Sequence, residues 1–149
     1  MPDIVLKEAT ADDADRYTEL EKKVGGRTYF ALTKKEEFLD ELSKRKIFLF
    51  KRGEETVGHL SLEIHKNGEE VNFCGFAVDP EYQGRGYGRE GLRLVLETVK
   101  DAPRIALVTH PDNSKSINMY QSFGFEIVER RENYWGDGEP RVVLVKEKK

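Results

Sequence analysis

Cysteine is almost missing from this chain of 149 residues: only Cys74 occurs, so no intramolecular disulfide can form, and no Cys/His pair has the close spacing of a zinc knuckle. A structural metal is therefore not expected. Long apolar runs are missing too, and nothing approaches the roughly 20 residues that a membrane-spanning helix needs. Met1 to Lys7 contains no apolar leader segment, which makes the cytoplasm the default expectation and gives no reason to expect a membrane partner. An excess of one charge sign is likewise lacking. Lys and Arg total 25 against 28 Asp and Glu, the formal net charge is -3, and the two signs are interspersed, so no basic face suits nucleic acid. The Lys146-Glu147-Lys148-Lys149 end is too short for a polybasic arm and reads as a solvated tail.

What is present suits a folded domain with an ionic surface. Hydrophobic residues make up 38% and aromatic ones 10%, enough for a core, while 36% of residues are charged. The length suits a single domain over residues 1–149, and no repeat or low-complexity linker divides it. Ile4 to Leu6 reads as a short strand. Thr10 with Asp12 and Asp13 then signals a helix running through Leu20 and stopped by Gly25 and Gly26. Thr33 with Glu36 forms a capping-box pattern for a second helix ending near Lys46. Residues 47–51, 56–64 and 71–78 are apolar or alternating runs, separated by Arg52-Gly53 and Asn67-Gly68, and predict antiparallel strands. Leu92, Val95, Leu96 and Val99 fall at helical spacing on a long helix closed by Pro103. After it come a strand at 105–109, a short helix at 114–123 stopped by Gly124, and strands at 125–130 and 142–145. Strand, long helix, strand over 71–109 requires a parallel crossover, so the class is α/β with a mixed, mostly antiparallel sheet.

The segment richest in chemistry is Val78-Asp79-Pro80-Glu81-Tyr82-Gln83-Gly84-Arg85-Gly86-Tyr87-Gly88, between a strand and the long helix. Glycines there permit positive φ and leave backbone N–H groups bare, so several can converge on an anion at the positive end of the helix. Gly86, Gly88 and Gly91 also satisfy the dinucleotide pattern, but five residues separate the strand from the first glycine of the turn, and the next strand ends Val108-Thr109-His110 without an acid. No Gly-Lys-Ser or Gly-Lys-Thr exists for a P-loop. A tight turn alone needs one or two glycines, whereas four stand between residues 84 and 91.

Gln83-x-x-Gly86-x-Gly88 after a Val-Asp-Pro strand end resembles the acetyl-CoA signature of the GNAT superfamily of N-acetyltransferases. Asn113, Ser116, Ile117, Tyr120, Phe123, Gly124 and Phe125 resemble that family's second block, and the two blocks cover about residues 71–128. The resemblance implies a sheet of about seven strands flanked by about four helices, with acetyl-CoA as acyl donor. It implies that the amides of Gln83, Gly84, Arg85, Gly86, Tyr87 and Gly88 hold the pyrophosphate. The strand edge at Phe76 and Val78 would pair with the pantetheine, and Asn113 and Ser116 would lie along the cofactor arm. Arg85, Arg89 and Lys115 either reach phosphates or are ordinary surface charges. By the same resemblance the Val78 amide serves the developing oxyanion. Tyr120 would act as general acid, since a phenol of pKa about 10 can protonate a thiolate whose conjugate acid lies at about 8.5. Asn113, Ile117 and Tyr120 share one helix face, so core packing is the other reading of Tyr120, as helix capping is of Asn113.

The general base departs from the family pattern, since the positions where many members carry Glu are Asn72 and Val108. Period-two alternation puts His59, Ser61, Glu63 and His65 on one strand face, with Glu63 the substitute base beside His65 and His59 exposed at a sheet margin. Cys74 is expected to be buried and apolar in character rather than a nucleophile. By resemblance, the acceptor is met by Arg27, Tyr29 and Phe30 on one side, by Asn133, Tyr134, Trp135 and Asp137 on the other, and by Asn72. The expected partner is a small-molecule amine or a peptide N-terminus. Peptide acetylation of the ribosomal-protein type and non-catalytic acyl-CoA binding are the alternatives, and the exposed hairpin aromatics leave a homodimer open.

Overall fold

Glycine and charge placement set the element boundaries in the computed structural model, which describes residues 3–26, 28, 29 and 31–148. Helix α1 (Ala14–Val24) buries Ala14, Tyr17, Leu20 and Glu21 along one side and ends at Gly25. Helix α2 (Lys35–Lys44) starts one residue later than the capping pattern predicts: Glu37, not Glu36, reaches back to the Lys34 amide at 3.0 Å. Adjacent glutamates let the glutamate half of the pattern fit in two registers, and Lys34 supplies no side-chain cap. Helix α3 (Tyr87–Thr98) begins at Gly86, whose φ of 86° is left-handed, and packs Leu92 and Val95 inward. A Cβ at Gly91 would overlap the Phe50 ring, so glycine sets how closely α3 approaches the sheet. Helix α4 (Ser114–Ser122) buries Ile117 and Tyr120.

Among the described residues, seven strands form one mixed sheet in the order β1-β2-β3-β4-β5-β7-β6. They are β1 (Val5–Glu8), β2 (Lys46–Arg52), β3 (Glu55–His65), β4 (Glu70–Val78), β5 (Arg104–Thr109), β6 (Glu126–Arg131) and β7 (Arg141–Glu147). The pair β4 and β5 is parallel, as the crossover through α3 requires, and the other pairs are antiparallel. On one face Phe50, Leu60, Leu62, Phe73 and Leu107 pack with Leu92 and Val95 of α3 and with Ile117 and Tyr120 of α4. On the other face Ile47 and Leu49 pack with Tyr17 of α1 and Phe38 of α2. No helix among the described residues is long and apolar enough to cross a membrane.

The feature that positions the site is where pairing stops. β4 pairs with β5 only over Glu70–Phe73 against Arg104–Leu107, although β4 runs on to Val78. Just past that point Ser61 faces Gly75 while Leu62 faces Phe73, which leaves Cys74 as the extra residue of a bulge. The bulge redirects the second half of β4, and its edge opens on the β5 side.

Candidate active site

Asp79 closes β4 and builds the turn that follows. Its amide donates to the Val57 carbonyl at 2.8 Å, its carbonyl accepts from Tyr82 at 2.8 Å, and its side chain accepts from the Glu81 amide at 3.0 Å. Arg16 and Lys23 of α1 bond the same carboxylate at 2.7 and 3.3 Å. Burial pushes this carboxyl up, but Arg16, the Glu81 amide and Lys23 pull it further down, below the usual carboxylate range. The chain then passes through Gln83, whose amide lies 3.4 Å from the Pro80 carbonyl, to Gly84 (φ 77°) and Gly86. Among the described residues, none of the amides from Gly84 to Gly88 donates to an acceptor on the chain, and the first bond of α3 runs from the Glu90 amide to the Gly86 carbonyl. Bare amides at a helix N-terminus suit a doubly charged phosphate linker. Only main chain is offered at Tyr87, whose ring is buried beside Tyr82. Arg85 lies over the Tyr82 ring, and Arg89 is bonded to Ser122 across α4.

The β4 register decides which backbone groups face the opening. Gly58 and Val78 are opposed, and the bond from Asp79 to Val57 makes theirs the non-hydrogen-bonded type of pair. The N–H groups of Val78 and, two residues back, Phe76 therefore point away from β3, toward the side where β5 has diverged. The Val78 carbonyl on that edge accepts from the Gln83 side chain at 2.9 Å, so Gln83 acts through its side chain as well as its place in the turn. Val78 and Phe76 turn their side chains to α3, where a Cβ at Gly88 would sit 3.2 Å from Val78 Cγ2.

A cleft of about 700 Å³ runs from this opening across the α1 side of the sheet. Tyr120, Ser116 and Asn113 line it from α4, Tyr29 from the α1–α2 connection, Asn72 and Gly75 from β4, and Tyr134 and Trp135 from the β6–β7 hairpin. The Tyr120 ring is wedged edge-on against Phe76 and Phe125, and burial raises the phenol pKa, holding it protonated. Asn113 stands at the N-cap of α4 but does not cap it: its amide donates to the Thr28 carbonyl and Thr109 Oγ1, each at 3.2 Å. Trp135 is half exposed, with the buried Arg141 guanidinium 4.5 Å above its ring and Asp137 2.9 Å from that guanidinium. Arg27 and Phe30 lie outside the described residues.

Three residues differ from the sequence reading. His59 is fully buried, because α1 covers that part of β3 and Tyr17 stacks on the ring at 4.5 Å. Cys74 is exposed, because the bulge turns it out of the core, and desolvation of the thiol, opposed by Arg45, raises its pKa to about 11. Glu63 is not brought to the cleft, since Arg45 at 2.9 Å and His65 at 2.7 Å hold its two oxygens at the sheet surface. A buried carboxylate of the cleft, Glu21, is one that sequence reasoning missed. It accepts from Tyr29 Oη at 2.8 Å and the Leu32 amide at 3.0 Å, and lies 3.0 Å from His59 Nε2. The available signal was an acid inside the buried stripe Ala14, Tyr17, Leu20 of α1.

This architecture is the GNAT acetyltransferase fold. It superposes on the ribosomal-protein-S18-alanine N-acetyltransferase of Escherichia coli with a TM-score of 0.83 at 17% identity, covering 97% of this chain and 94% of that one. It also superposes on a GNAT family acetyltransferase from Elizabethkingia anophelis with acetyl-CoA bound, with a TM-score of 0.75 at 19% identity over 99% and 100% of the two chains. Residues 9–125 match the acetyltransferase (GNAT) family model, and the chain belongs to that family. A Bacillus subtilis relative described as a putative ribosomal protein bS18-alanine N-acetyltransferase is 30% identical over 98 residues, which span 56% of this chain and 65% of the relative.

Proposed function

We propose that the protein transfers an acetyl group from acetyl-CoA to a primary amine by direct attack of the nitrogen on the thioester. The run of bare amides from Gly84 to Gly88, beside a free edge of β4, carries this reading. Those amides would hold the pyrophosphate, the Phe76 and Val78 edge would hold the pantetheine as an added strand, and Asn113 and Ser116 would border the arm. The bound donor supplies an activated acyl carbon. The Val78 N–H, fixed by the strand pairing behind it, donates to the carbonyl oxygen as negative charge develops there, a contact worth about 3 kcal/mol of barrier. Tyr120, kept neutral by burial, gives its proton to the departing sulfur. Tyr29, Asn72, Tyr134 and Trp135 border the space left for the acceptor. A peptide N-terminus is the second reading, favoured by the resemblance to the Bacillus subtilis relative and by the aromatic hairpin at the cleft mouth.

Acetyl-CoA should raise the melting temperature, whereas NAD should not. Free-thiol release should follow when acetyl-CoA is offered with a panel of amino acids, polyamines, aminoglycosides and short peptides. A melting shift without thiol release from any amine would favour the non-catalytic acyl-CoA module, and a shift with NAD alone would overturn the cofactor assignment.

A further inference from the structure

We propose that Glu21 and His59 form a buried pair that accepts the proton of the acceptor amine, with the Tyr29 and Ser61 hydroxyls as the short bridge between that nitrogen and the pair. The inference rests on the transfer reading above. Glu21 lines the cleft at 1% exposure. A carboxylate only accepts, so the 3.0 Å contact from its Oε2 to His59 Nε2 places a hydrogen on Nε2. Among the described residues, His59 Nδ1 is buried with no hydrogen-bond partner, and so is Ser61 Oγ, two residues along the same face of β3. Two unpartnered polar atoms on one buried strand face are costly unless used.

Charge explains why the pair takes a proton. With a neutral imidazole the pair holds one net negative charge inside the protein, and one more proton, taken up on Glu21, leaves it with no net charge. Among the described residues, neither Glu21 nor His59 is bonded to a Lys or Arg. Tyr17 covers His59 from α1, while Leu49 of β2 and Ala77 of β4 flank it within the sheet. Arg45 of α2 is bonded to Glu41 at 2.6 Å and to Glu63 at 2.9 Å. Position completes the case. Measured from where a Cβ on Gly75 would begin, Ser61 Oγ lies at 3.1 Å and Tyr29 Oη at 3.6 Å, and Gly75 immediately precedes the free β4 edge.

The bound ammonium loses one proton through the Tyr29 hydroxyl, which hands its own to Glu21. The neutral nitrogen then forms the N–C bond. As the C–S bond breaks, Tyr120 protonates the sulfur and is restored by the nitrogen's remaining surplus proton, and the Glu21–His59 pair releases its proton to solvent once products leave.

The test compares wild type, Glu21→Gln and His59→Gln in thiol release at saturating acetyl-CoA, using a series of amines of graded pKa, with the acetyl-CoA melting shift as a separate readout. Glu21→Gln should lower kcat by about 100-fold with strongly basic amines. His59→Gln should lower it by about tenfold, as expected for a group that acts through Glu21. Both losses should shrink with amines already neutral at the assay pH, and both variants should keep the acetyl-CoA melting shift. Wild-type turnover with unchanged rates in both variants overturns this inference alone. A loss spread evenly over all amines, or unfolding of both variants, assigns the pair to the fold and also overturns it. A wild type that acetylates no amine overturns the transfer reading itself.

Discussion

Tyr120 shows how one side chain serves two readings that its sequence position leaves open. Its ring packs against Phe76 and Phe125, as the shared face with Ile117 predicts, and the same packing desolvates the hydroxyl and raises its pKa. Tyr120→Phe keeps the ring contacts and removes the proton donor, so kcat should fall about 100-fold while the acetyl-CoA dissociation constant, read by calorimetry, stays within about twofold. The sign of the pH effect follows from the direction of the shift. With Tyr120 as the proposed proton donor, its acid form is the one that works and burial extends its range upward, so the rate should show no alkaline fall from this group up to at least about pH 10, the ordinary phenol value. An alkaline limb below that, present in wild type and lost in Tyr120→Phe, would contradict the burial argument. Glu21 and His59 were less legible at this scale. Strand periodicity identifies the face on which His59 lies, but whether a helix covers that face is a tertiary fact, and the acid that meets it lies 38 residues away in sequence.

At the scale of elements, most boundaries were legible because glycine marks them. Gly25 ends α1, Gly124 at φ 99° follows α4, and Gly86 opens α3. The cradle depends on that last position, since φ of 86° suits glycine and strains a β-branched residue. Gly86→Val should weaken acetyl-CoA binding at least about tenfold by calorimetry, because even ~1–2 kcal/mol of backbone strain in the turn misaims the amides that the reading assigns to the pyrophosphate. Unaltered binding would place the ligand elsewhere. The divergence of β4 from β5 was not legible. The sequence predicts that the two strands are parallel, but pairing ends at Phe73 beside a bulge at Cys74, and Gly75, a glycine inside a strand pattern, permits a bulge there without telling which neighbouring strand parts from β4. Resemblance to a family, rather than periodicity, is what pointed to the free edge.

At the scale of the molecule, the sheet separates a layer holding α1 and α2 from one holding α3 and α4, and the acceptor and donor readings fall largely on opposite sides. One fully buried carboxylate ties them together, for Asp79 begins the turn into α3 and is gripped by Arg16 and Lys23 of α1. Asp79→Asn keeps an oxygen to accept the Glu81 amide but leaves Arg16 and Lys23 only their longer, exposed ion pairs with Glu19 and Glu81. It should cost about 1–3 kcal/mol at neutral pH and lower the melting temperature by several degrees. Because the folded-state pKa of Asp79 is depressed, its contribution is fully present above the unfolded value, about 3.9, and disappears as pH falls through the lower folded value. The gap in melting temperature between wild type and Asp79→Asn should therefore be widest at pH 6–7 and close progressively below about pH 4. A gap that stays constant down to pH 2.5 would mean that the side chain is held by packing and by the Glu81 amide alone, and that charge does not join the two helical layers.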